Sequence, residues 1–186
     1  MKLLQLLPIG EFDSGLLEAI GPRLAQQFRV PWDVLPRRLD PQFAYHAERQ
    51  QYHSTELLER MAGYLKPEAW RLLGVTESDL YIPILTFVFG EAQLGGAAAV
   101  VSTCRLRQEF YGLPADEELL RERLLKEAVH ELGHTVDLRH CEDYRCAMAP
   151  SHAVEWIDLK EVALCSACQA KAARPAPEEK KRFRLF

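Results

Sequence analysis

His130, Glu131 and His134 stand in the order H-E-x-x-H, His140 follows six residues later, and Cys141 comes directly after it. Two histidines four apart on a helix lie about 40° apart around its axis and roughly 6 Å apart along it. Both imidazoles can therefore reach one metal ion from the same face. Glu131 holds the position from which a carboxylate can act on metal-bound water. His140 offers a third nitrogen. Three protein ligands leave a fourth position open, the form zinc takes in catalytic rather than structural sites. Downstream, Cys141 and Cys146 make a C-x4-C pair, and Cys165 and Cys168 a C-x2-C pair. The second spacing lets two thiolates converge on one tetrahedral ion.

Taken alone, H-E-x-x-H also arises in helices that bind no metal. Solvated surface histidines and inert buried thiols are the plain alternatives. A third histidine, a methionine at 148 and four framing cysteines together argue against both.

The pattern resembles the metzincin metalloproteases, whose signature runs H-E-x-x-H-x-x-G-x-x-H and ends in a methionine turn. Within that clan, the cysteines around Met148 make the chain similar to the archaemetzincins. The stretch Tyr81-Ile82-Pro83-Ile84-Leu85-Thr86-Phe87-Val88-Phe89-Gly90-Glu91-Ala92, and Val100-Val101-Ser102 before Arg105-Leu106, look like the same family. The resemblance implies a zinc-dependent peptidase with two zinc ions. His130, His134 and His140 would hold the catalytic ion; Cys141, Cys146, Cys165 and Cys168 would hold a structural one in a C-terminal knuckle. Glu131 would take a proton from zinc-bound water and pass it to the leaving amine. Met148 would form a hydrophobic floor beneath the histidines, and the segment after it the cleft wall, leaving His152 as either a substrate contact or a plain surface histidine. The strand at 97–103 resembles the edge strand that lines a metzincin cleft, where a peptide or protein substrate can pair by main-chain hydrogen bonds.

One position departs from the family: its glycine is Asp137 here. On a continued helix, His140 would lie about 9 Å beyond His134 and roughly 120° around the axis. The chain must therefore bend back near 137. Aspartate is among the few residues other than glycine that adopt left-handed backbone. A left-handed Asp137 with His140 beside the other histidines is expected. The rival reading is a zinc-stabilised binding protein that keeps the fold with little hydrolysis; Asp137 and the absence of any readable substrate feature speak for it, and the intact Glu131 against it. A nucleic-acid module built on the cysteine knuckle is a third reading, disfavoured by a net charge of −4.

The elements that must position these groups are legible in outline. At 186 residues and 48% hydrophobic, the chain suits a single domain, which the resemblance makes metzincin-like and sets over 1–173, with a tail at 174–186. The fold class is α/β of the α+β type, a mixed twisted sheet with flanking helices. Residues 2–9 read as a strand. A helix spans 14–27 with Ser14 as N-cap, and 28–30 read as a second strand. Residues 45–52 are polar and irregular, leaving His46 and His53 as solvent-facing or structural. A helix starts at Ser54 with Leu57, Leu58, Met61 and Leu65 on one face. Residues 67–74 suggest a short helix, 79–89 is the most strand-like run, and Gly95-Gly96 permits a turn before a strand at 97–103. Cys104 reads as a small core residue. A long helix from Leu119 carries the histidine motif.

Glycines 90, 95 and 96 make no phosphate loop, since no Gly-Lys-Ser/Thr follows. The Lys180-Lys181-Arg182 cluster reads as a solvated end. The apolar start at Leu3 to Leu7 is too short for a signal peptide, and no run reaches transmembrane length. A cytoplasmic monomer, with no nucleic-acid or membrane partner, is the expected setting; reduced thiols there point to metal rather than disulfides.

Overall fold

The computed structural model describes residues 2–173, so the tail at 174–186 lies outside the described residues. β1 (Leu3–Ile9) is buried on both faces, with Leu4 and Leu6 turned to one side and Leu7 and Ile9 to the other. α1 (Ser14–Phe28) is capped by Asp13, not Ser14: the Asp13 carboxylate accepts the Gly15 amide at 2.9 Å. Residues 28–30 do not form a strand. Arg29 takes φ +54 and closes α1 instead, and β2 (Trp32–Val34) begins after Pro31.

β3 (Tyr45–His46) and β4 (Gln51–His53) make a short hairpin from the segment read as irregular. α2 (Ser54–Met61) buries Leu57, Leu58 and Met61 as its spacing requires, while Leu65 lies beyond its end. β5 (Ala69–Thr76) replaces the helix expected over 67–74. Its parallel ladders to β1 and to β8 (Ala98–Ser102) satisfy the backbone on both sides, and this tertiary pairing overrides a helix-tolerant composition. Of the apolar run at 79–89 only β6 (Leu80–Tyr81) is a strand; the chain then loops outward, leaving Ile84 85% exposed. β7 (Gly90–Ala92) and the Gly95 turn, at φ +65, lead into β8. α3 (Glu117–Thr135), capped by Asp116, is followed by α4 (Val154–Leu159) and α5 (Ser166–Ala172).

The main sheet runs β2-β1-β5-β8-β7, parallel except for β7. The edge beside the motif helix is therefore β7, and the strand expected there, 97–103, is interior. Leu73, Val75, Ala99 and Val101 face α1 and α3, whereas Leu72, Ala98 and Val100 face α2. Strands buried on both sides read as continuous apolar runs, which is why these two do. From Arg123 onward almost every residue of α3 is buried, so the motif helix is the centre of its layer rather than a surface helix. Among the described residues no helix is long and apolar enough to cross a membrane.

Candidate active site

α3 ends in a Schellman motif. The Leu138 amide bonds the Gly133 carbonyl at 3.1 Å and the Asp137 amide bonds the His134 carbonyl at 3.0 Å, with Asp137 at φ +66. Asp137 thus occupies, left-handed as expected, the place glycine usually takes. The reversal brings His140 back to the other histidines, with ring centroids 5.2 Å from His130 and 5.1 Å from His134.

Gly133 lets Met148 under the helix. A Cβ there would stand 2.3 Å from the Met148 sulfur, and Met148 is fully buried. Sequence reasoning placed Met148 beneath the histidines, and the structure packs it against Gly133, between the first two of them.

The imidazoles are set up as ligands. His130 Nδ1 donates to the Ala147 carbonyl at 2.8 Å and His134 Nδ1 to the Leu138 carbonyl at 2.7 Å. A carbonyl only accepts, so in the neutral rings both Nε2 atoms are bare. Burial keeps them neutral: it holds His130 well below the usual histidine range, moves His134 to about 4 and lowers His140. Yet the two Nε2 atoms face each other at 3.1 Å. Two lone pairs at that distance repel unless a cation lies between them. Two nitrogens on one tetrahedral zinc stand roughly 3.3 Å apart, so the donors fit the ion. One ligand atom from each of the three histidines lies within 4.8 Å of the others.

Cys141, Cys146, Cys165 and Cys168 form a second cluster with the same reach, all four as free thiols. The Cys141 and Cys165 sulfurs are 3.8 Å apart, close to the roughly 3.8 Å expected for two thiolates on zinc. The Cys168 amide, donating to Cys165, lowers that thiol to about 7, while burial pushes Cys146 and Cys168 up. Four thiols this close cannot all ionise without a cation among them. The two clusters share a backbone: the Cys141 amide bonds the Met148 carbonyl at 2.9 Å, tying the residue after His140 to the methionine turn.

Glu131 lines a cleft of about 490 Å³ together with the three histidines, β7 and His152. Its carboxylate lies against the edge strand: a Cβ on Gly90 would come within 2.9 Å of Glu131 Oε1. Burial, with Glu127 second, raises Glu131 well above the usual carboxylate range. His152 is exposed and stands in the cleft wall beside Trp156. Cys104 lies just past β8, half-buried, and burial raises its thiol to about 11. His46 and His53 do not line the cleft.

Sequence reasoning missed three groups. Lys160, fully buried at the end of α4, donates to Glu127 at 2.8 Å and to the carbonyls of Ala149 and Ala147, on either side of Met148, at 3.1 and 3.4 Å. Glu127 precedes Glu131 by one helical turn, a spacing that could have marked it; Lys160 reads as an ordinary surface lysine. Glu91 on β7 also lines the cleft, accepting hydrogen bonds from Ser54 and, at 2.9 Å, from Thr55, with burial raising its carboxyl.

The chain matches the model of Peptidase family M54 over residues 13–174. It is 40% identical to the archaemetzincin of Methanocaldococcus jannaschii over 164 residues, covering 88% of this chain and 89% of that one. The archaemetzincin of Archaeoglobus fulgidus is 41% identical over 159 residues, 86% of this chain and 92% of that one. Two solved structures are similar. The crystal structure of the A. fulgidus archaemetzincin complexed with malonate superposes with a TM-score of 0.78 at 39% identity, covering 91% of this chain and 99% of that chain. A zinc-dependent peptidase from Methanocorpusculum labreanum reaches 0.82 at 28% identity, again over 91% and 99%.

Proposed function

Since the chain belongs to peptidase family M54, the archaemetzincins, and is a zinc metallopeptidase, we propose that Glu131 is its proton-transferring carboxylate and that His130, His134 and His140 hold the catalytic zinc. Cys141, Cys146, Cys165 and Cys168 hold a second, structural ion. The observation that carries this reading is the pair of proton-free Nε2 atoms facing each other at 3.1 Å beside Glu131. When bound, zinc supplies a Lewis acid that acidifies water and polarises a carbonyl, and its charge favours the ionised form of Glu131.

The chain's own residues do the rest. Glu131 takes the proton of the attacking water and returns it to the nitrogen of the departing amine. Its place against Gly90 puts the carboxylate next to the open edge of β7. An extended peptide pairs along that edge by main-chain hydrogen bonds, which orients the scissile bond without reading side chains. Met148 and the Lys160 bonds on either side of it keep the Ala147 carbonyl, and with it the His130 ring, in position. Peptides or proteins are the substrates of a monomeric enzyme, and a cytosolic setting suits its free cysteines.

The binding-protein alternative drew on Asp137. Asp137 stands at φ +66 with His140 beside the other two histidines, which removes that one of its two grounds and leaves the lack of a readable substrate feature. A peptide-library digest comparing the wild type with Glu131→Ala at matched zinc content tests the assignment. The variant should keep its fold and metal and lose cleavage by ~100-fold or more; retained cleavage would move the acid–base role elsewhere. Elemental analysis should find zinc at both clusters, the ion at the histidines leaving before the one at the cysteines under mild chelation.

A further inference from the structure

His46 and His53, which do not line the cleft, are brought together with Glu56 of α2's first turn. In the β3–β4 hairpin His46 pairs with Gln51, so His53, two residues on, is its diagonal neighbour on the same face. His53 in turn pairs with Tyr81 of β6. The buried Tyr81 ring backs both imidazoles, 5.5 Å from His46 and 5.3 Å from His53. Glu56 stands three residues past His53, in the first turn of α2. Its Oε1 lies 2.9 Å from His53 Nδ1 and 3.5 Å from His46 Nε2, and one donor atom from each of the three lies within 4.8 Å of the others.

We propose that His46, His53 and Glu56 form a third metal site, outside the catalytic cleft, for a borderline divalent transition-metal cation. Two imidazole nitrogens and one carboxylate oxygen suit zinc, cobalt, nickel or copper, whereas magnesium and calcium require shells built from oxygen. The donors need little rearrangement, since two strand ladders and the first turn of α2 already hold them. Three protein ligands leave positions for water, so binding is weaker and more exchangeable than at the four cysteines. The neighbouring cation, Arg49, is tied elsewhere: it lies 4.1 Å over the Tyr81 ring and donates to the Leu85 carbonyl at 2.8 Å and the Thr86 carbonyl at 3.2 Å. Those two residues line the cleft. An ion here would clamp the hairpin to α2, and Arg49 would carry that restraint to the cleft rim.

The full chain, purified with its resident metal, is dialysed against micromolar Co²⁺ beside His46→Ala and Glu56→Gln, and bound metal is counted. The wild type should hold one equivalent more than either variant, or bind that equivalent at least tenfold more tightly. Added Co²⁺ should also raise its unfolding temperature more than theirs. Only the difference between proteins is read, so the result stands apart from the occupancy of the histidine and cysteine clusters. His46 and Glu56 are 47% and 38% exposed, and unfolding in chelator checks that both variants fold as the wild type does. Equal metal content and equal affinity in all three would show a plain hydrogen-bonded trio and overturn the proposal, as would an extra equivalent that survives both substitutions.

Discussion

Lys160→Met is the sharpest test of how the methionine turn is held. The Lys160 and Glu127 side chains are 1% and 4% exposed. The three protons of the ammonium meet three acceptors: Glu127, Ala149 and Ala147. Methionine keeps most of the length and removes the charge. It strands a buried carboxylate and takes a donor from each of two carbonyls. Breaking a buried pair from one side costs about 3–5 kcal/mol, whereas replacing both partners by apolar residues is often neutral or better. For a protein of this size each kcal/mol moves the unfolding temperature by about 2–4 °C, so Lys160→Met should lower it by about 6–20 °C. Adding Glu127→Leu should recover most of the loss, because the stranded charge is then gone. Urea and thermal unfolding of Lys160→Met, Glu127→Leu and the double variant at matched zinc measure the cycle. A single variant within about 1 kcal/mol of the wild type, or a double variant less stable than the single, would refute the account. The first would mean that water reaches the pair, the second that the two carbonyls outweigh the carboxylate.

Three further outcomes follow from the same packing. Asp137→Gly should keep zinc binding and leave stability unchanged or raised by about 1 kcal/mol, since it relieves left-handed strain; a clear destabilisation in urea would show that the aspartate side chain holds the turn. Gly133→Ala should destabilise by about 1–3 kcal/mol through overpacking against the Met148 sulfur, although alanine is the better helix former by about 1 kcal/mol; chemical denaturation showing a net gain would mean that Met148 simply moves aside. Burial places His134 at about 4, holds His130 well below the usual histidine range and lowers His140, so protons compete for these nitrogens less than at ordinary imidazoles. Zinc affinity at this site, measured by chelator competition, should therefore fall less than about tenfold from pH 7 to 5.5. Three ordinary imidazoles would lose roughly 10³-fold over that range through proton competition, and a drop of that size would show them to be solvent-like.

What the sequence determined by itself is local. H-E-x-x-H is legible because helix geometry alone puts residues 130 and 134 on one face. The bend at Asp137 follows because no continued helix could deliver His140 to the same ion. The cysteine set is legible from the short reach between paired thiolates. Tertiary structure decided the rest, in most cases by partners far away in sequence. β5 is a strand because β1 and β8 flank it, although residues 67–74 carry no strand signature of their own. The cleft edge is β7 rather than 97–103, because β8 is taken on its other side by β5. The apolar run at 79–89 leaves the sheet to line the cleft, so its hydrophobicity serves the site's wall instead of the core. Lys160 becomes a strut of the methionine turn only where α4 meets α3. His46 and His53 become a pair only through the register of a two-residue strand. Backbone geometry limits what a few neighbouring residues can do, and so makes local motifs readable. Ladder pairing and burial join residues dozens of positions apart, and the residue types at either end look the same whether or not they meet.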